Sequence, residues 1–339
     1  MKWSAGRRLL KARQVMYNQA ELREIVDRTL MNLSYNMEAP RLIEPVKYIL
    51  SLGGKRIRPV LTLAACNLFN DKIDDAVFPA AGLEIFHNFT LVHDDIMDKA
   101  SVRRGFPTVH TKWDLNQAVL SGDLMSFIAN ECFMLTPSQL FLNIFRIFNK
   151  AAIDVCVGQQ LDIEYEKSLV VTEQEYMRMI ELKTAALIAA SVRIGALIGG
   201  SNDEDANLLF DFGKNMGLAF QIQDDILDVW GETKVFGKTP GGDIVSNKKT
   251  LPYIKAMEMA GSDVRKKLQI LYSGNDINPD EKIRTVTGIY DQLNIRESSE
   301  SLASQFIDKA FEYLQKVNID DKRKIELTGL ASSLIRRSH

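Results

Sequence analysis

Tyr176-Met177-Arg178-Met179-Ile180-Glu181-Leu182-Lys183-Thr184-Ala185-Ala186-Leu187-Ile188-Ala189-Ala190 is rich in strong helix formers. It lies within a longer stretch, from Pro137 to Pro240, that has no proline between its ends. Only long helices or uninterrupted strands tolerate such a gap. Strand signals, meaning β-branched alternation bounded by turn dipeptides, are scarce along the whole chain. The chain therefore reads as all-α. Breaks fall at Ser51–Gly54, Asn70-Asp71, Arg104–Pro107, Thr136-Pro137, Gly199–Asn202, Gly237–Gly242 and Ser273–Asp276. None is long enough to be an interdomain linker, and no repeat of about 20–50 residues is visible. One large helical domain over residues 21–339 is expected, with residues 1–20 as an N-terminal extension and the charged stretch after Asn318 as a second loose end.

Composition narrows the function. The 339 residues are 46% hydrophobic and 25% charged, with 42 Lys plus Arg against 44 Asp plus Glu and a net charge of −2. A dedicated nucleic-acid binder would carry a basic surplus. Cys66, Cys132 and Cys156 are an odd count without a C-x-x-C pair, which disfavours a disulfide framework or a cysteine zinc site and points to a reducing compartment. Met1–Arg8 lacks an apolar signal core, and no apolar run reaches about 18 residues. A cytoplasmic protein without a transmembrane segment is expected.

Two pentapeptides carry the chemistry. Asp94-Asp95-Ile96-Met97-Asp98 and Asp224-Asp225-Ile226-Leu227-Asp228 both read D-D-x-x-D. At about 100° per residue, Asp94 and Asp98 stack one turn apart with Asp95 beside them, and the second set repeats the pattern. A single acidic triplet is often a solvated helix face. These two are flanked by Leu91-Val92 and by Leu218-Ala219-Phe220, where unpaired like charges are costly. Oxygen-only ligands suit Mg²⁺ or Mn²⁺, and Mg²⁺ completes its shell with water and substrate phosphates. Both clusters then suggest a diphosphate substrate. A di-iron carboxylate bundle would need paired E-x-x-H motifs, and only Glu84-Ile85-Phe86-His87 fits.

A diphosphate calls for cations on turns and helix starts. Gly53-Gly54-Lys55-Arg56-Ile57-Arg58-Pro59 places three cations on a glycine turn entering a helix. Arg103-Arg104-Gly105 follows the first aspartate cluster, and Lys183 sits mid-helix in an apolar setting. Gly237-Lys238-Thr239-Pro240-Gly241-Gly242-Asp243 and Lys248-Lys249-Thr250 follow the second cluster. Gly231…Gly237-Lys238-Thr239 is not a nucleotide phosphate loop, because its glycines have one residue too many between them and no strand precedes it.

The order G-G-K-R-x-R-P, H-D-D-x-x-D, R-R-G, K-T, F-Q-x-x-D-D-x-x-D, G-K-x-x-G-G-D and K-K-T, from Gly53 to Thr250, resembles the trans-isoprenyl diphosphate synthases, which include farnesyl, geranylgeranyl and longer polyprenyl diphosphate synthases. The resemblance implies an all-α, mostly antiparallel helical bundle with a deep central cavity, generally a homodimer. It implies head-to-tail condensation of isopentenyl diphosphate with an allylic diphosphate such as dimethylallyl, geranyl or farnesyl diphosphate. Carried onto this chain, it makes Asp94, Asp98 and Asp224 the Mg²⁺ ligands, with about three ions per loaded site, and makes Asp95, Asp225 and Asp228 helpers. Arg103, Lys183, Lys238 and Lys248 correspond to the allylic diphosphate clamp. Lys55, Arg58, His87 and Arg104 correspond to the isopentenyl diphosphate site. Thr184 and Gln221 correspond to positions that steady the allylic cation.

In such synthases the growing tail runs down the first aspartate helix. At 1.5 Å per residue, Thr90 lies about 6 Å below Asp94, Phe89 about 7.5 Å and Phe86 about 12 Å. Thr90 is small, whereas the two phenylalanines can form a floor, which implies a short product of C20, or C15. The alternatives are a C30 or longer polyprenyl synthase and a non-catalytic partner subunit, although the latter should have lost a motif. A terpene cyclase would lack the Gly53–Pro59 turn. Ile335-Arg336-Arg337 near the C-terminus could fold back toward the isopentenyl diphosphate site, although exposed terminal arginines are far more often inert.

Overall fold

The structure is a computed structural model that describes residues 16–33, 38–231, 240–273 and 277–335. Residues 1–15 of the expected N-terminal extension, Lys238, and the terminal Arg336 and Arg337 lie outside the described residues.

The fold is all-α, as the sequence predicts. The helices run α1 (Gln19–Met31), α2 (Pro40–Ser51), α3 (Ile57–Phe69) and α4 (Asp74–Met97), then a two-residue-stranded hairpin, β1 (Val102–Arg103) and β2 (Phe106–Pro107). Next come α5 (Val109–Lys112), α6 (Leu115–Met134), α7 (Ser138–Lys167), α8 (Glu173–Ile180), a π-helical turn (Glu181–Ala185), α9 (Ala186–Gly199) and α10 (Asp203–Trp230). The remainder is α11 (Gly242–Val245), α12 (Leu251–Met259), α13 (Ser262–Ser273), α14 (Pro279–Gln292), α15 (Ile295–Lys316) and α16 (Asp321–Ile335). Side chains set several starts. Asn18 and Thr172 each form a capping box, with Glu21 and Glu175, at the heads of α1 and α8.

Two compact units emerge from the chain path, one comprising 1–148, 190–209 and 318–330, the other 149–189, 210–317 and 331–339. In the first, α4 lies along α6 and also touches α1, α2 and α3. Its core holds Leu63, Leu83, Ile85, Met125 and Phe133, each fully buried. Burying an aliphatic or aromatic side chain of this size stabilises by roughly 1.5–3 kcal/mol. Arg323 of α16 donates to the carbonyls of Asn67 and Leu68 and pairs with Asp71, so it satisfies acceptors that the end of α3 would leave bare. In the second unit, Tyr176, Ile180, Leu218, Ile222, Ile226, Tyr253 and Tyr290 share one apolar core.

The segment Glu173–Gly199 is long and apolar enough, by length and composition, to cross a bilayer, yet 83% of its most apolar window is buried in protein. It is a core helix. The hairpin, which the sequence shows only as a break, forms because Arg104 and Gly105 both take positive φ (53° and 80°), as a tight primed turn requires.

Candidate active site

The first aspartate cluster ends α4. Asp98 is its exposed C-cap, Asp94 is half-buried, and Asp95 is 1% exposed. Such burial needs a partner, and the hairpin supplies one. Arg103 Nε lies 2.8 Å from both Asp95 oxygens, with a further 2.7 Å contact from Nη2 to Oδ1. Asp95 is thus a forked arginine ligand, which fits the helper role better than a metal ligand.

The glycine turn before α3 resolves its three cations differently from the sequence view. Only Lys55 and Arg58 sit at the surface or half-buried. Arg56 is 4% exposed, adopts φ 49°, and points inward. It donates to Asp27 Oδ1 at 2.9 Å, Glu84 Oε1 at 2.8 Å and the Leu50 carbonyl at 2.6 Å. Glu84, the half of an E-x-x-H pattern, is therefore committed to an ion pair. Gly54, at φ 136°, packs so close to the Arg104 guanidinium that any Cβ there would strike it. Arg104 in turn donates to the Gly53 carbonyl, while Arg23 donates to the Gly54 carbonyl at 3.0 Å. His87 is half-buried near Arg58, Arg104, Arg103 and Arg56. Burial first, then those four charges, hold its imidazole well below the usual range, so it is neutral at physiological pH. Lys55, Arg58, His87 and Arg104 were the expected isopentenyl diphosphate group, and Arg58, His87 and Arg104 do lie within one field.

The second cluster lies near the end of α10. Asp224 is half-buried, whereas Asp225 and Asp228 are 3% and 9% exposed. Asp225 accepts from Tyr176 Oη at 2.5 Å, Gln221 Nε2 at 3.0 Å and the Leu251 N–H at 3.3 Å. Burial, with the Asp243 charge adding to it, pushes the Asp225 carboxyl up to about 8, against the pull of these bonds. Gln221 presents its amide oxygen to Thr184 Oγ1 at 2.8 Å. Tyr176, Asp225, Gln221 and Thr184 therefore form one relay, which fixes the Gln221 amide orientation. Asp228 accepts the Asp243 N–H through Oδ2 at 2.9 Å.

Lys183 and Thr184 occupy the π-helical turn, where the sequence suggests plain helix. Propensity does not register the one-residue widening, although such turns recur at functional sites. Gly158 of α7 makes room for it, since a Cβ there would meet the Lys183 backbone. Lys183 Nζ pairs with Asp162 Oδ2 at 2.6 Å. Asp162 and Tyr176 were not among the sequence candidates. They lie 21 and 49 residues from their partners, and no local spacing announces them.

Each aspartate turn, taken by itself, offers the carboxylate oxygens that suit a hard cation. Among the described residues no three His, Cys, Asp or Glu groups already converge on a metal-sized point. Mg²⁺ does not require that, because one or two carboxylates plus substrate phosphates complete its shell. Asp95 bonds to Arg103, and Asp225 bonds to Tyr176 and Gln221.

Comparison with known proteins gives the same direction. Residues 39–290 match the polyprenyl synthetase family. A geranylgeranyl diphosphate synthase of Sulfolobus acidocaldarius is 39% identical over 287 residues, covering 83% of this chain and 86% of that protein. A geranylfarnesyl diphosphate synthase of Natronomonas pharaonis is 32% identical over 94% of this chain and 97% of its own. The crystal structure of a geranylgeranyl pyrophosphate synthase superposes with a TM-score of 0.91 at 37% identity, over 96% of this chain and all of that one. With its aspartate turns, glycine turn and lysine–threonine turn all in place, the chain belongs to the polyprenyl synthetase family, as a short-chain trans-isoprenyl diphosphate synthase.

Proposed function

We propose that the protein joins isopentenyl diphosphate head-to-tail to an allylic diphosphate in a Mg²⁺-dependent reaction whose main product is C20, with residues 21–339 acting as one synthase domain. The observation that carries this reading is the matched treatment of the two aspartate turns. In each, the middle aspartate is buried on partners of its own, Asp95 on Arg103 and Asp225 on Tyr176 and Gln221. By resemblance to the family, the metal role falls to Asp94, Asp98 and Asp224, with Asp228 as a helper. Bound Mg²⁺ would neutralise the diphosphate and stabilise the charge on the leaving group.

The chain's own groups do the rest. Arg103, Lys183, Lys238 and Lys248 hold the allylic diphosphate, placing positive charge where negative charge develops. Lys55, Arg58 and Arg104 hold isopentenyl diphosphate, and the neutral His87 contributes a hydrogen bond. The Thr184 and Gln221 oxygens turn their dipoles toward the allylic cation. The departing diphosphate then takes the final proton, so no protein nucleophile is needed. The enzyme works as a cytoplasmic homodimer, with Leu120, Phe127 and Met134, exposed at heptad spacing on α6, as the face a second copy covers.

Phe86 and Phe89 argue for C20. Their rings sit 5.4 Å apart, and Phe86 is backed edge-on by Phe148 at 5.3 Å, which stacks on Phe133 at 4.1 Å. Phe89 is half-buried and forms the first layer, while Phe86 forms the second. The geranylfarnesyl relative favours a second reading, C25. Incubation with Mg²⁺, labelled isopentenyl diphosphate and each of the dimethylallyl, geranyl and farnesyl starters, followed by sizing of the released alcohols, decides. C20 supports the proposal, C25 selects the second reading, and no condensation at all overturns both. Joint replacement Phe86→Ala and Phe89→Ala should lengthen the product, and an unchanged product distribution would remove the floor.

A further inference from the structure

Lys282 of α14 is 3% exposed. Among the described residues it makes no ion pair. Its Nζ instead donates to Asn247 Oδ1 at 2.5 Å and to the Val245 carbonyl at 3.5 Å, and lies 5.0 Å from the centre of the Tyr272 ring. A buried ammonium is costly when its partners are neutral, and here burial lowers its pKa. Two of these neighbours, Val245 and Asn247, lie at the end of α11, and Tyr272 belongs to α13.

That end is built to a tight specification. Asn247 takes φ 60°. Its N–H donates to Ile244 O at 3.3 Å, and the N–H of Lys248 donates to Asp243 O at 2.9 Å. This is a Schellman closure with asparagine in the left-handed position that glycine usually fills. Lys282 holds the side chain of that asparagine and the last helical carbonyl together, a favourable place for a cation. At the other end of α11, Asp228 accepts the N–H of Asp243 through its carboxylate and the N–H of Gly241 through its carbonyl. A four-residue helix is thus pinned at both ends by α10 and α14, and Lys248 follows directly on the asparagine that closes it.

We propose that Lys282 is a positioning residue, which sets the direction of Lys248 through Asn247 and thereby the affinity for the allylic diphosphate. This role presupposes Lys248 as a diphosphate ligand. The test is therefore a double-mutant cycle on the full chain with Lys282→Met and Lys248→Ala. Two quantities are read, KM for each substrate and the binding of inorganic diphosphate with Mg²⁺ by calorimetry.

Lys282→Met should raise the allylic KM and weaken diphosphate binding by roughly tenfold, and leave the isopentenyl KM within about twofold. In the Lys248→Ala background the same change should add less than about twofold, because the residue it acts through is gone. Lys282→Arg, which keeps the charge, should recover part of the affinity. Equal effects in both backgrounds, or a lowered melting temperature with unchanged KM, would overturn the inference and leave Lys282 as a purely structural residue. If Lys248→Ala itself leaves the allylic KM unchanged, the clamp assignment of Lys248 fails and the role of Lys282 falls with it. Asn247→Gly repeats the cycle should Lys282→Met not fold. It preserves the left-handed backbone and removes only the amide that Lys282 holds.

Discussion

Asp94→Ala and Asp224→Ala should each lower turnover by at least on the order of a hundred- to a thousandfold, the range seen when one preorganised charge-stabilising group is lost from an active site. Each removes a carboxylate assigned to the cation, on α4 and α10 respectively. The deficit should fall on kcat, because charge on the diphosphate is greatest as the allylic bond breaks. The fold should survive. Both residues are half-buried rather than core, and each deletion relieves repulsion within its own aspartate turn. Circular dichroism and melting curves close to wild type, combined with collapsed product formation, are the expected result. Near-normal condensation by either purified variant would defeat the metal assignment.

Glu84→Ala should be the most damaging single change for stability in the first compact unit. The Arg56 guanidinium and Glu84 carboxylate are each 3% exposed, and the pair is joined at 2.8 Å. Removing the carboxylate strands a buried cation whose remaining charged partner, Asp27, is 39% exposed. It also takes an acceptor from Asn88, whose Nδ2 donates to Glu84 Oε1 at 3.0 Å. Breaking a pair of this kind costs about 3–5 kcal/mol. Replacing both partners by apolar residues, Arg56→Leu with Glu84→Leu, should restore much of the loss, because neither charge is then left uncompensated. Urea titration of the three proteins checks this, and a Glu84→Ala midpoint equal to wild type would contradict it. The double variant should still bind isopentenyl diphosphate poorly, since Arg56 also fixes the turn between Lys55 and Arg58.

The helical class and both aspartate turns were legible because their signals are local. A proline-free run and a five-residue carboxylate spacing need no tertiary information. The glycine turn was half legible. Three adjacent cations look alike in sequence, and only packing reveals that Arg56 turns inward to Asp27 and Glu84 while Lys55 and Arg58 do not. The partners of Lys183 and Asp225 were invisible, since Asp162 and Tyr176 meet them only after folding. Lys282 carried no signal either, because a lone lysine on an amphipathic helix reads as surface, yet α14 buries it.

The widened turn at Glu181–Ala185 makes this part of the chain sensitive to length rather than to composition. It accommodates one residue more than a regular helix would over the same rise. Deleting a single residue there would let α8 run into α9 as ordinary helix with the flanking turns still in phase, whereas inserting one more would rotate Tyr176 by about 100° relative to Leu187. The insertion would swing Tyr176 away from Asp225, and the deletion would remove the wide turn that carries Lys183 and Thr184. Among variants of this enzyme, substitutions at 181 to 185 should therefore be found in active proteins far more often than insertions or deletions. A library scored for both would show a reading frame for geometry written into the helix itself.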